Sequence, residues 1–211
     1  MIRTPAFAVG RSLAISIAAS ARTTAVLFSV AAMTLAGCGR SMPTRYVTLN
    51  AVPAGTPLAT RSITPIQLTA VHIPAVLDRL EVVKLASPNR LTIDDSDRWG
   101  APLAQMIRGT LAQDLLMRLP PGTFIVPDAP APPGTRKLVV TVLSATAEAS
   151  GTLTLQAQWT LLAGHPDEAA LRQQVTLDSA IRGHDAIAQA AALSHGLGDL
   201  ADRIAASVLA H

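Results

Sequence analysis

Few residues of this 211-residue chain are placed to do chemistry. Its one thiol is Cys38. His72, His165, His184, His195 and His211 are scattered, with neither His-Glu-x-x-His nor a Cys/His cluster for zinc. Lys84 and Lys137, the only lysines, do not follow a Gly-x4-Gly run, so a Walker A phosphate loop is excluded. No Gly-x-Ser-x-Gly elbow presents a serine nucleophile. Asp94, Asp95 and Asp97 lack the spacing and glycine of an EF-hand and suit helix capping and turns better. From Cys38 onward the aromatics are Tyr46, Trp99, Phe124 and Trp159, too few for a base- or sugar-stacking platform. This inventory points away from an enzyme, and it calls for no cofactor and no metal.

Cys38 is different because of what precedes it. Residues 1–37 carry only Arg3, Arg11 and Arg22 as charges and end in the apolar run from Ala25 to Leu35. A positive leader followed by an apolar stretch and small residues marks an export signal. The run is too short for a transmembrane helix, which needs about 20 apolar residues. Leu35-Ala36-Gly37-Cys38 resembles the bacterial lipobox, in which the chain is cut before a cysteine whose sulfur is acylated. Small residues at Ala36 and Gly37 let the backbone lie flat in the peptidase, and Cys38 is the lipid acceptor. Residues 1–37 are thus expected to be a lipoprotein signal peptide, 38–44 a lipidated tether, and 45–211 the folded domain. In lipoproteins of enterobacterial type an Asp after the cysteine favours inner-membrane retention; Gly39 implies the outer membrane, facing the periplasm.

The same division settles the charge. The whole chain is +3 with a pI near 9.7, but from Cys38 on, 14 basic residues balance 14 acidic ones. The basic excess belongs to the leader, so nucleic acid is not an expected partner. With its thiol lipidated the domain has no disulfide to stabilise it. It is long enough to bury about 70% of its unfolded surface as one core.

The elements that must position any surface follow in order. Strands are expected at Arg45–Leu49 and Ile66–Ile73, then a turn over Ala75–Arg79 after Pro74. Leu80–Leu85 and Arg90–Asp94 flank Ser87-Pro88-Asn89 as a hairpin. A helix is expected from near Arg98, capped within Asp95-Ser96-Asp97, with Leu103, Ile107, Leu111, Leu115 and Leu119 on one face and Pro120 ending it. After a short strand at Phe124–Val126 and a Pro-rich loop, Lys137–Glu148 and Thr152–Leu162 form a hairpin about Ser150-Gly151. Leu171–Ser179 adds a third strand of the meander. In the second of these strands Leu153, Leu155, Ala157, Trp159 and Leu161 alternate with polar residues, which makes one face core and the other wet. A last helix spans His184–Leu209, with Leu193, Leu197, Leu200, Ile204 and Val208 on one side; Gly196 and Gly198 point to a close helix–sheet approach. The fold class is α/β: a single domain with a layered mixed β-sheet and two main helices.

Val71-His72-Ile73-Pro74-Ala75-Val76-Leu77-Asp78-Arg79, Leu91-Thr92-Ile93-Asp94-Asp95 and Arg98-Trp99-Gly100-Ala101-Pro102-Leu103 resemble the ABC-type transport auxiliary lipoproteins, the PqiC-like family. Gly151-Thr152-Leu153 and Gln158-Trp159 fit its second half, and Gly100 departs from the helix former usual after the Trp. The resemblance implies a fold related to the N-terminal domain of TolB. It implies a non-catalytic subunit of an MCE-type lipid transport system. Such a subunit docks an MCE-domain, periplasm-spanning protein to the outer membrane, supports membrane integrity, and meets outer-membrane lipids through its own anchor. A homo-oligomer is compatible with it. The alternative is a carrier that holds an acyl chain in an Ala/Leu/Val-lined cavity. For docking, the candidate contacts are Leu77, Asp78 and Arg79 on the turn after Pro74, with Arg98. The bland reading of that turn is a corner between strands, and of Arg98 a partner for a nearby carboxylate.

Overall fold

Alternation of period two forces Leu153, Leu155, Ala157, Trp159 and Leu161 to one side of a strand, and all five are buried. The computed structural model describes residues 43–210 apart from 55–62, 88, 149 and 165–167. Cys38 and the leader therefore lie outside the described residues, as do His165 and His211. In chain order the elements are β1 (Arg45–Val47), β2 (Ile66–His72), β3 (Glu81–Ser87), β4 (Arg90–Trp99), α1 (Leu103–Arg118), β5 (Phe124–Ile125), β6 (Arg136–Ala147), β7 (Thr152–Ala163), β8 (Glu168–Ala180) and α2 (Ala186–Leu209).

The strands divide into two mixed sheets, of order β5-β2-β6-β7-β8 and β1-β4-β3. In the larger one β2 runs parallel to both β5 and β6, while β6, β7 and β8 form an antiparallel meander. Gly151 makes the β6–β7 turn at φ 85°, a left-handed conformation that glycine adopts without a Cβ clash. The helices cover one face: α1 packs on β2, α2 on β7 and β8, and the two helices on each other. The opposite face carries Thr141, Gln156, Gln158, Arg172, Gln174, Thr176 and Asp178. In the smaller sheet β1 is parallel to β4, and β3 and β4 form the hairpin, with Asn89 at φ 69° in its turn. Val47, Val82 and Trp99 of this sheet join the same apolar cluster as both helices and the larger sheet, so there is one core.

The expected start of the first helix is corrected. Residues 95–97 do not cap it: β4 continues through Asp97 to Trp99, and α1 begins at Leu103 with Pro102 as its N-cap. Two interactions hold this stretch extended. β1 pairs with it in register, Arg45 opposite Asp97 and Val47 opposite Trp99. Arg45 also grips the buried Asp97 carboxylate with two hydrogen bonds, Nε to Oδ1 at 2.7 Å and Nη2 to Oδ2 at 2.9 Å. Such a bidentate, charge-assisted pair is stronger than the single bond a helix cap would offer. Pro102 then has no N–H to lose, and its carbonyl accepts from Gln105 and Met106.

The second helix has the side-chain cap that the first lacks: Asp185 Oδ1 accepts from the Ala188 N–H at 2.8 Å. Its glycines do bring it close to its neighbours, but not both to the sheet. A Cβ on Gly196 would lie 3.4 Å from Leu155 and Ser179, whereas one on Gly198 would lie 3.0 Å from Val52 and 3.3 Å from Arg118. Gly198 thus makes room for the segment after β1 and for α1.

Candidate docking surface

The turn after β2 is built by its backbone. Pro74 ends the ladder, and its carbonyl accepts from the N–H groups of Leu77 at 2.9 Å and Asp78 at 3.2 Å. Leu77 folds back against the core, half-buried, while Asp78 and Arg79 stay exposed. Of the four sequence-predicted contacts, the structure brings two together. Arg79 Nε is 3.1 Å from Glu81 Oε2, and Arg98 lies opposite Glu81 across the β3–β4 ladder. The Glu81 carboxyl is held below the usual range by its own backbone N–H, then by the Arg79 hydrogen bond, and to a smaller extent by the charges of Arg79 and Arg98. Arg98 Nε is buried without a hydrogen-bond partner among the described residues. Asp78 stands apart from this group, on the solvent side of the turn.

Beside these charges the structure opens an apolar groove that sequence reasoning missed. It is about 140 Å³ and is lined by Pro74, Val76, Leu77, Val83, Leu91 and Leu143, with the β6 backbone beyond. Val76, Leu91 and Leu143 are 45%, 47% and 41% exposed, large apolar side chains converging on one place. The register of β6 against β7 shifts between Val142 and Ser144, and Leu143, the residue at the shift, is exposed beside buried Val142. The period-two pattern alone places Leu143 among the wet positions, where the structure has it; what the sequence does not mark is the register shift beside it, because a bulge has no compositional signature in this strand. The hairpin supplies the other wall through Val83 of β3 and Leu91 of β4. On the other side of the hairpin Lys84 and Thr92 line a second hollow of about 280 Å³, with Glu148, His184, Asp185 and Gln189 around it.

A second cluster ties the N-terminal segment to the helices. Asp114 and Arg118, four residues apart on α1, are both buried, with Asp114 Oδ1 3.3 Å from Arg118 Nη1. Arg118 Nε reaches Asp202 of α2 at 2.6 Å, and its Nη1 donates to the Val52 carbonyl at 3.1 Å. Asn50 N–H donates to Ser194 on α2 at 3.1 Å. Burial pushes the Asp114 carboxyl up to about 6 against the lowering pull of the Val52 N–H and Arg118. Their positions in the sequence do show the signal: 103, 107, 111, 114 and 118 follow helical spacing, so the acid and base sit on the stripe the leucines define.

Among the described residues no group of three His, Cys, Asp or Glu side chains could hold a metal ion, and no helix is long and apolar enough to cross a membrane. His72 is exposed at the end of β2, and Trp99 is buried in the core.

Two solved structures share the fold. A crystal structure of an uncharacterized protein superposes with a TM-score of 0.64 at 18% identity, covering 79% of this chain and 99% of that one. Protein XCC0632 from Xanthomonas campestris, assigned to DUF330, superposes with a TM-score of 0.62 at 16% identity, covering 79% of this chain and 95% of that one. Among curated proteins no sequence matches. A family model described as the ABC-type transport auxiliary lipoprotein component matches residues 47–205, from the end of β1 nearly to the end of α2. With three-quarters of its length matched, the chain belongs to the family of ABC-type transport auxiliary lipoprotein components.

Proposed function

We propose that this protein is the outer-membrane docking subunit of an MCE-type lipid transport system, anchored by acyl chains at Cys38 and facing the periplasm. Its partner is a periplasm-spanning MCE-domain protein, and its role in membrane integrity follows from holding that partner in place. The family supplies the auxiliary and lipoprotein character; the anchor site and the side of the envelope rest on Cys38 and Gly39.

The observation that carries the docking reading is the groove of Val76, Leu77, Leu91 and Leu143 beside the Arg79–Glu81–Arg98 charges. An apolar centre flanked by charge is the anatomy of a protein interface, and loops held by rigid elements are where binding residues concentrate. The carrier reading fits less well. The hollows on either side of the β3–β4 hairpin, about 140 and 280 Å³, fall below the range of about 300–1,000 Å³ usual for small-molecule sites.

The test is photo-crosslinking in intact membranes from single positions in the full chain. A photoreactive residue at Val76 or Leu143 is expected to capture the MCE-domain protein, and one at Gln156 on the polar sheet face is not. Equal capture from all three, or none from the groove, would overturn the assignment.

A further inference from the structure

Two hydrogen bonds fasten the β3–β4 hairpin to the start of α2. Gln189 Nε2 donates to the Val83 carbonyl at 2.9 Å, and Lys84 Nζ donates to the His184 carbonyl at 3.2 Å. Both side chains line the hollow of about 280 Å³ that lies across the hairpin from the apolar groove. Ala86, Ala147 and Ile181 make much of its wall apolar.

The side-chain groups left open around this hollow are acceptors. Gln189 is only 6% exposed, and its Oε1 has no hydrogen-bond partner among the described residues. The amide cannot turn over to find one, because the Val83 carbonyl accepts only and so holds Nε2 in place. A buried amide oxygen in this state calls for a donor. Two carboxylates stand near it. Glu148 accepts from Ser150 through Oε2 at 3.1 Å, and Asp185 caps α2 through Oδ1, so each keeps its second oxygen for another donor. Lys84 is the one lysine or arginine in the lining, and the two carboxylates outnumber it.

A donor with an apolar stem and a positive head is a lysine side chain. Its methylenes lie along apolar surface, and its ammonium donates hydrogen bonds and accepts none. The planar fork of an arginine needs paired acceptors and suits a single buried oxygen less well. We propose that this hollow is a lysine socket: a lysine of the docked partner enters it and sets its ammonium against Gln189 Oε1 and the carboxylates of Glu148 and Asp185. The inference rests on the docking reading and gives that partner a chemistry. It straddles the hairpin, with an apolar side chain in the groove of Val76, Leu91 and Leu143 and a lysine in the hollow behind. The hydrogen bonds of Gln189 and Lys84 hold the socket in shape beforehand, which lowers the cost of ordering it on binding.

The chemistry is tested with n-butylammonium, the stem and head of a lysine, titrated into the isotope-labelled full chain in detergent. It should shift the Gln189 side-chain amide resonance saturably. Its half-saturation should lie about tenfold or more below that of n-butanol, the worth of one charge-assisted hydrogen bond. Glu148→Gln, an exposed position, should weaken n-butylammonium severalfold and leave n-butanol unchanged. Equal binding of the two probes, or no response at Gln189, would overturn the socket. The occupant is tested in membranes with Thr92→Cys, on the socket side of the hairpin, carrying a thiol-linked succinimidyl ester that couples to amines alone. It should capture the MCE-domain protein. Coupling to lipid amines alone would overturn a protein occupant. Capture by a photoreactive residue at Val76 without capture at position 92 would overturn the socket and leave the docking reading standing; capture at neither would overturn both.

Discussion

Asp114 Oδ1, buried on α1, accepts a hydrogen bond from the backbone N–H of Val52 at 2.8 Å, sixty-two residues away in sequence. With Arg118 donating to the Val52 carbonyl, both backbone groups of one residue are held by a single helix. The segment that leads from β1, and hence from the N-terminal side of the domain, is thereby fixed to the helical layer. Gly198 is the complementary feature on α2, since any larger residue there would press on Val52 and Arg118.

That clasp predicts an unusual pH dependence. Asp114 titrates at about 6 in the folded chain against 3.8 ordinarily, so between those values the native state binds more protons than the unfolded one. Its contribution to stability therefore grows as pH falls from 7 toward 4 and is constant below about 3.8; the span corresponds to about 3 kcal/mol at most. Urea melts of wild type and Asp114→Asn across pH 7.5–4.5 isolate it. The wild type should gain on the variant with acidification, and a constant gap would refute the assignment.

Trp159 is 2% exposed and its Nε1–H donates to Ser207 on α2 at 3.1 Å. Trp159→Ala should cost about 3–5 kcal/mol in a urea melt. Gln158→Ala, on the opposite face, should stay within about 0.5 kcal/mol. Similar losses at both positions would mean the strand does not sit in this register.

Three helix glycines separate propensity from packing. Nothing lies within 4 Å of a Cβ built on Gly109, so Gly109→Ala should stabilise by about 1 kcal/mol. Gly198→Ala gains the same propensity but must displace Val52, 3.0 Å away, and should be destabilising on balance. Gly196→Ala, at 3.4 Å from its neighbours, should fall between them. Thermal melts that rank Gly198→Ala first would contradict this order.

Cys38→Ser should abolish incorporation of an alkyne fatty acid and leave an uncleaved or soluble periplasmic form. Label retained in the variant would remove Cys38 as the lipid acceptor.

Reversing the charges of the turn, Asp78→Arg with Arg79→Glu, should leave the melting temperature within a few degrees, because both side chains are exposed. Recovery of the MCE-domain partner in a crosslinking pulldown from membranes should fall severalfold, since a rim charge governs association. Full recovery would take the turn out of the interface, and a lowered melting temperature would make it a structural corner.

Local pattern carried much of this fold. The alternation of β7, the hairpin about Gly151 and the leucine stripe of α2 each express a periodicity that neighbouring residues impose on one another, and all appear where the sequence places them. The turn after Pro74 is equally local, because proline removes the donor that would continue the ladder. What the tertiary structure decided depends on partners far along the chain. Asp95-Ser96-Asp97 has the composition of a helix cap, but pairing with β1 and the Arg45 side chain, 52 residues away from Asp97, holds the backbone extended and delays the helix to Leu103. The apolar groove required Leu143 of β6 and the β3–β4 hairpin to meet, and neither announces the other in sequence. The clasp of Asp114 and Arg118 lay on a legible helical stripe, yet only the packing of Val52 and Asp202 against it turned two charges into buried ones. Periodicity is set by the backbone within a few residues, whereas burial and pairing are set by whichever distant segment arrives.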